Sequence, residues 1–107
     1  MARVFIRESG VTEMEITTGA LVKSLAGHDK NSFFFILKEE GEYVYLVDGK
    51  IRTLGRPKKK KRKHVEAVLW EENSPGTKLK RGETITDEEI KRFIRWFCKE
   101  NRASGGD

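Results

Sequence analysis

The residues of this sequence most suited to chemistry are the cations between Arg56 and His64, which read RPKKKKRKH. Six of them are consecutive and would neutralise several phosphates of a polyanion, releasing counterions so that binding falls steeply with salt. These six are Lys58, Lys59, Lys60, Lys61, Arg62 and Lys63. Phosphate binding is favoured because Arg52 and Arg56 extend the same charge. Two alternatives stay open. The run matches the residue pattern of a nuclear localisation signal, and it could also be a solvated loop that serves only solubility.

The charge of the chain is strongly asymmetric. The formal net charge is +5, yet nine Lys or Arg residues and no acid lie between Lys50 and Lys63. This leaves 13 of the 22 basic residues against 17 acidic residues elsewhere. A mildly acidic body therefore carries one cationic segment, and such clustering concentrates the potential that attracts a polyanion.

Outside this segment the polar candidates are weaker. Lys23 and Lys30 flank a predicted turn and are expected to reach the same polyanion as the basic run, although ordinary exposed turn positions explain them equally well. His28 and His64 are too few for a metal site without a second cysteine, so no metal or cofactor is predicted, and His64 is expected to hydrogen-bond a backbone group or a phosphate. The sequence also lacks a phosphate-binding glycine loop and a histidine–carboxylate pair beside a nucleophile, which predicts a non-enzymatic protein.

Length and composition set the remaining limits. A chain of 107 residues with 36% hydrophobic residues has room for one domain with a modest core. No apolar stretch approaches the roughly 18 residues needed to span a bilayer. A single cysteine, Cys98, excludes an internal disulfide and favours a reducing compartment, so we expect the cytoplasm. Residues 1–17 are interpreted as an N-terminal extension, within which Met14 is a second candidate start.

The pattern from residue 18 to residue 70 predicts short β-strands joined by tight turns. Asn31 suits a left-handed turn position, and Asp48-Gly49 suits a two-residue hairpin into a further strand. Residues 71–85 read as a polar loop, and 103–107 as a tail. The predicted strands span residues 20–25, 32–37, 42–47, 50–54 and 65–70, and the basic segment 56–64 is predicted to be a loop between the last two.

A helix is predicted over residues 86–102, with its regular part from about 87 to 100. Thr86 and Glu89 form a capping box, and Ile85 and Ile90 occupy the positions of a hydrophobic staple. An apolar residue then recurs with the period of one helix face. The members of that face are Ile90, Phe93, Ile94 and Phe97.

The stretch from Gly19 to His64 resembles the KOW-motif proteins of translation. It is most similar to the family related to the archaeal and eukaryotic large-subunit ribosomal protein numbered fourteen, with its small bacterial relatives. The residues that carry the resemblance are Gly19 to Lys23, Ala26 to Lys30, Phe33 to Leu37, Val47 to Arg52, Arg56 to Lys58 and Lys63 to Val65. One departure is Asn31, where the family often has glycine.

The resemblance implies a mainly β protein, a small SH3-like antiparallel barrel of the KOW type, here followed by one C-terminal helix. It also implies a ribosome-associated chain that contacts structured, ribosomal RNA and is a monomer off the ribosome. Two matters stay open. The aromatic residues Phe33 to Phe35, Tyr43 and Tyr45 either stack bases or, as we prefer, fill the core. Phe93 and Trp96 either pack the helix on the barrel or bind a translation or transcription factor.

Overall fold

A computed structural model of the chain describes residues 16–69 and 74–105, and it contains a five-stranded antiparallel sheet with two helices. The strands lie in the order β4-β3-β2-β1-β5. In chain order the elements are β1 (Leu21–Ser24), β2 (Phe33–Glu40), β3 (Tyr43–Val47), β4 (Lys58–Lys61), a 3₁₀ turn (Arg62–His64), β5 (Val65–Leu69), α1 (Pro75–Arg81) and α2 (Asp87–Gly105). The prediction of a mainly β chain is confirmed. The N-terminal extension, including Met14, lies outside the described residues, apart from positions 16 and 17.

Four of the five predicted strands are confirmed, with each end within three residues of its predicted position. Asn31 adopts a φ of 75°, the left-handed conformation expected at that turn. Its N–H donates to the carbonyl of Ser24 at 2.8 Å and closes the turn between β1 and β2. Asparagine therefore serves where glycine would otherwise be needed.

The predicted strand over residues 50–54, and the two-residue hairpin leading into it, are wrong. One carboxylate oxygen of Asp48 accepts the backbone N–H groups of Lys50, Ile51 and Arg52 at 2.9, 3.0 and 2.8 Å. These donors are turned toward a side chain instead of a neighbouring strand, which is how aspartate competes with a ladder. The result is a loop from residue 48 to residue 57, in which Ile51 is 72% exposed.

The basic segment, predicted to be a loop between two strands, forms a strand itself. Lys58–Lys61 is β4, which pairs along its length with β3 and lies at one edge of the sheet. Edge strands tolerate charged side chains, and lysine is common on them because it discourages pairing with other molecules. Backbone pairing with β3 thus overrides the polar composition.

The helices give one correction and one confirmation. The predicted 71–85 loop contains α1, which begins after Ser74, whose hydroxyl accepts the N–H of Gly76 at 3.1 Å. The predicted C-terminal helix is present as α2, and its capping box is formed: the N–H of Glu89 donates to the Thr86 hydroxyl at 3.2 Å. No helix in the described ranges is long and apolar enough to cross a membrane.

The sheet is apolar on both faces. The inner face carries one buried cluster, the inner core: Ile16, Ala20, Val22, Phe34, Ile36, Val44, Leu46, Val65 and Ala67. The outer face carries a second, the outer core, which the helices complete: Leu21, Phe35, Val47, Val68, Ile90 and Phe97. Phe93 and Ile94 pack partly buried against the outer core, so the predicted helix face is confirmed.

The two edge strands are nearly consecutive in the chain. Only the three residues of the 3₁₀ turn separate β4 from β5, and the step from Lys61 to Val65 reaches at most about 14 Å. A flat sheet would hold its outermost strands about 19 Å apart, as four spacings of roughly 4.8 Å. The sheet must therefore curl, which turns the inner face into a concave one.

The loop after β3 docks against the start of α2. The N–H of Leu54 donates to the Asp87 carboxylate at 2.7 Å, across 33 residues of chain. Gly49 has a φ of 77°, and a Cβ built there would lie 2.2 Å from the carbonyl oxygen of Asp87. Only glycine therefore permits this close approach of loop and helix.

Replacing Gly49 with alanine is expected to lower the free energy of unfolding by about 2 kcal/mol or more, because left-handed strain adds to a backbone clash. Gly41→Ala is the matched control. Its φ of 60° imposes similar strain, but nothing lies within 4 Å of an added Cβ, so we expect about 1 kcal/mol. Urea unfolding curves of both variants measure the difference, and equal losses would contradict the close-approach argument.

Candidate nucleic-acid interface

The lysines of β4 alternate between the two faces of the sheet. Lys60 is paired with Val44 and Lys58 with Leu46, two residues of the inner core, so both lysines lie on the inner face. Lys59 and Lys61 consequently lie on the outer face. One run of identical residues is thereby divided into two sets with different surroundings.

Both lysines of the inner set form ion pairs with Asp29, in the turn between β1 and β2. Lys60 is 8% exposed, and its ammonium lies 2.8 Å from one oxygen of Asp29 and 2.9 Å from the carbonyl of Ala26. The Lys58 ammonium lies 3.1 Å from the other Asp29 oxygen. The Ser24 hydroxyl donates to Asp29 at 2.7 Å. We call Ser24, Asp29, Lys58 and Lys60 the Asp29 cluster.

The electrostatics of this cluster favour the ionised aspartate. Burial raises the pKa of Asp29, but hydrogen bonds from Lys60 and Ser24, together with the nearby Lys58 ammonium, outweigh burial and hold the pKa well below its usual range. The carboxylate is therefore charged at neutral pH. It links the edge strand β4 to the turn between β1 and β2.

Arg62 is also held by the protein. Its guanidinium donates to the carbonyls of Ile16 and Gly41, and it lies 3.5 Å from Glu39. A backbone hydrogen bond from Thr18 is the main cause that lowers the pKa of Glu39, with Arg62 contributing. Like Lys60, this predicted RNA contact has a structural role.

The outward cations of the segment are Arg56, Lys59, Lys61 and Lys63. Arg56, Lys59 and Lys63 are exposed, and Lys61 is half-buried. Lys59 lies 3.9 Å from Glu40, a long and exposed ion pair that contributes little to stability. This row faces solvent and is the part of the predicted site best placed for a phosphate backbone.

The remaining predicted contacts are dispersed. Arg52 is half-buried and lines a groove of about 270 Å³ with His28, Asp29 and Lys58, among others. Lys30 is exposed in the same β1–β2 turn, while half-buried His64 ends the 3₁₀ turn. Lys23 lies on β1, which is three strands away from β4 in the sheet. Arg52 and Lys30 thus border the segment, whereas Lys23 is separated from it.

One residue beside the segment was missed by reasoning from the sequence. Lys38 lies opposite Tyr45 because the register between β2 and β3 shifts between Ile36 and Lys38. Its ammonium lies 4.6 Å from the centre of the Tyr45 ring. The pattern of residue types does not reveal a register shift of this kind, so the sequence carried no signal for the position of Lys38.

A second surface involves the aromatic residues of α2. Trp96 is 39% exposed and its ring lies 5.2 Å from that of Phe93. Phe93 in turn lies 5.5 Å from Phe35 of the outer core. Trp96 borders a groove of about 340 Å³ between the helices, together with Pro75 and Lys78 among others. Phe93 therefore serves packing, and Trp96 is partly available to a partner.

Within residues 16–69 and 74–105, no three His, Cys, Asp or Glu side chains are grouped so as to hold a metal ion. No protein-family model matches the chain, and a search of curated proteins finds no significant match either.

Asp29→Asn is expected to lower the free energy of unfolding by about 3 kcal/mol, because it leaves the buried Lys60 ammonium without its counter-charge. Urea unfolding at pH 7 measures this loss. Glu88→Gln is a control for simple charge removal: Glu88 pairs with Lys91 and Arg92 on the exposed side of α2, and its loss is expected to change little. Similar losses in both variants would contradict a special role for Asp29.

At acid pH the difference in unfolding free energy between wild type and Asp29→Asn should become smaller. The pKa of Asp29 is lowered by folding, so its contribution is complete above its unfolded pKa of about 4 and is lost as pH falls toward the folded value. The gap in unfolding free energy should narrow by about 1 kcal/mol per pH unit below pH 4. Denaturant titrations at pH 7, 4 and 3 measure it, and a constant gap would exclude this linkage.

Proposed function

We propose that this chain is a small, non-enzymatic RNA-binding protein of the translation apparatus that contacts structured, ribosomal RNA. The observation that carries the proposal is the split of the basic segment. Asp29 pairs with the inner lysines, Lys58 and Lys60, while Lys59 and Lys61 lie on the outer face of a fixed edge strand, with Arg56 before it and Lys63 after it. A cationic row on a rigid element loses little conformational freedom when it meets phosphates.

The proposed mechanism is electrostatic and depends on shape. The outer row contacts successive phosphates, and Arg52 and Lys30 contribute from the neighbouring loop and turn. Contacts of this kind position a protein on RNA without reading its sequence. In double-stranded RNA they lie along the backbone and the ribose hydroxyls of the minor groove.

The proposal includes an SH3-like barrel of the KOW type. Its support is the curled sheet, in which a 3₁₀ turn of three residues joins the two edge strands. Further support comes from the Asp29 cluster, which connects β4 to the β1–β2 turn across the concave face. In keeping with the resemblance, we propose a cytoplasmic, ribosome-associated protein that is a monomer when free.

Edge protection offers a competing explanation of the same lysines. Charges on an edge strand prevent pairing with a second sheet, so Lys59 and Lys61 would be explained without any RNA. The two explanations differ in the sign of charge that they require. Either sign protects an edge, whereas only a positive row binds phosphate.

Charge reversal on the outer row separates these explanations. The triple variant Lys59→Glu, Lys61→Glu, Lys63→Glu should remain soluble, yet lose at least a hundredfold in affinity for a ribosomal RNA fragment at 100 mM salt. The slope of log affinity against log salt should also flatten by about 2. Fluorescence anisotropy with a labelled fragment, repeated at several salt concentrations, measures both quantities.

The matched control reverses three exposed cations on the helices, Arg81, Arg92 and Lys99, and so changes the net charge equally. It should keep the wild-type salt slope and most of the affinity. Equal losses in the two triple variants would show that net charge alone attracts RNA. Unchanged binding of the β4 variant would overturn the proposed function.

A protein-interaction module is the second candidate, and the exposed Trp96 favours it. In that case the groove bordered by Trp96 and Phe93 holds a segment of a translation or transcription factor. Trp96→Ala would then abolish association with ribosomes in cell extracts while the lysine triple variant retains it. Under the favoured function the two variants behave the other way round.

A further inference from the structure

The sheet continues beyond the helices on its outer face. Val47 is fully buried in the outer core, but the next outward positions along β3, Tyr45 and Tyr43, are half-exposed. Within the described chain neither tyrosine belongs to a buried cluster. The outer face thus changes from a helix-covered core to an open surface between Val47 and Tyr45.

This open surface alternates tyrosines with cations. Cross-strand pairing places Lys38 and Lys59 on either side of Tyr45, and Glu40 and Lys61 on either side of Tyr43. Residues directly opposite in an antiparallel sheet share a face, so all six side chains line one patch. We call this patch the tyrosine strip.

Each tyrosine ring already attracts a cation. The Lys59 ammonium lies 4.6 Å from the centre of the Tyr43 ring, and the Lys38 ammonium lies at the same distance from Tyr45. Such contacts at exposed sites are weak, roughly 0.5–1 kcal/mol. An ammonium released from a ring stays close enough to meet the phosphate of a base that replaces it.

Glu40 is the one acid of the strip. It accepts a hydrogen bond from the Tyr45 hydroxyl at 2.8 Å, which raises the pKa of that phenol and fixes the ring. It also lies 3.9 Å from Lys59. Its charge opposes a phosphate, so removing that charge should strengthen binding of any polyanion here.

The spacing of the rings selects the ligand. Tyr43 and Tyr45 are two residues apart on one strand, and a strand advances about 3.3 Å per residue, so the rings are about 7 Å apart. Stacked bases in a duplex are separated by about 3.4 Å. Two adjacent bases meet both rings only when they are no longer stacked on each other, as in an unpaired, extended strand.

We propose that Tyr43 and Tyr45 each stack on one base of an unpaired RNA segment, while Lys38, Lys59 and Lys61 hold its phosphates. Aromatic rings interleaved with cations are how proteins bind single strands without sequence preference. This inference rests on the proposed function and extends it, since it adds a site for unpaired bases to a surface for structured RNA. It goes against our expectation that both tyrosines fill the core.

The test compares two labelled probes, an eight-nucleotide oligouridine and a blunt RNA duplex of 16 base pairs, by fluorescence anisotropy. The double variant Tyr43→Leu, Tyr45→Leu keeps apolar bulk on the strand but removes both rings. It should bind the oligouridine at least tenfold more weakly, with an unchanged salt slope, because base stacking carries little ionic contribution. Its affinity for the duplex should stay within twofold of wild type.

Three controls accompany this comparison. Tyr43→Phe, Tyr45→Phe retains the rings and should retain oligouridine binding within about threefold. Glu40→Gln should strengthen binding of the oligouridine. Urea unfolding of the leucine variant checks that it is folded at the temperature of the titration.

The outcomes separate this inference from the proposed function. Base stacking is overturned if the leucine variant binds the oligouridine as well as wild type does, or if it loses as much affinity for the duplex as for the oligouridine. Neither result contradicts the proposed contact of the outward cations with RNA. If wild type binds neither probe, the proposed function and the inference fall together. A loss confined to the oligouridine and restored by phenylalanine supports the inference.

Discussion

The ion pairs of Asp29 with Lys58 and Lys60 are the interaction on which the arrangement of the basic edge depends. Without them, a buried ammonium would lie against an apolar inner face with only the Ala26 carbonyl as partner. Like charges on successive lysines would also repel. One carboxylate removes both difficulties, and it does so from a turn that is distant along the chain. The curled sheet and the orientation of β4 are therefore secured by the same contact.

The inner face of the sheet is buried, whereas the outer face is partly covered by α2 and partly open. On the inner face, the residues of β3 are apolar and the lysines of β4 are paired with Asp29. On the outer face, α2 covers the half that lies over β1 and β2, and its aromatic residues complete that core. The uncovered half retains tyrosines and lysines. Because the helix and the exposed strip share one face, a short chain combines a stable core with an open, charged surface.

Local signals in the sequence predicted those elements whose stabilising contacts are local. The capping box and the periodic apolar face of α2 lie within one helix, and Asn31 and its turn lie within a few residues. Three predictions failed because distant or competing contacts decide the outcome. Asp48 takes the N–H groups that a strand over residues 50–54 would need. The segment 58–61 is a strand because it pairs with β3. The helix α1 is only seven residues long, which is too short for its apolar residues to show a clear helical period. Among the candidate site residues, the identity of the cations was visible, but which face each one occupies was not.

The four residues of β4 are all lysines and are therefore interchangeable. Sliding β4 by one residue would leave lysine at three of its four positions, so the side chains of the strand itself hardly distinguish one alignment from the next. The alignment is fixed beyond the four lysines, by Arg62. The Arg62 N–H donates to Glu42, and its guanidinium holds the carbonyls of Ile16 and Gly41. Arg62 thus fixes the alignment of a strand whose own residues would fit several, and it does so with a forked guanidinium that lysine lacks.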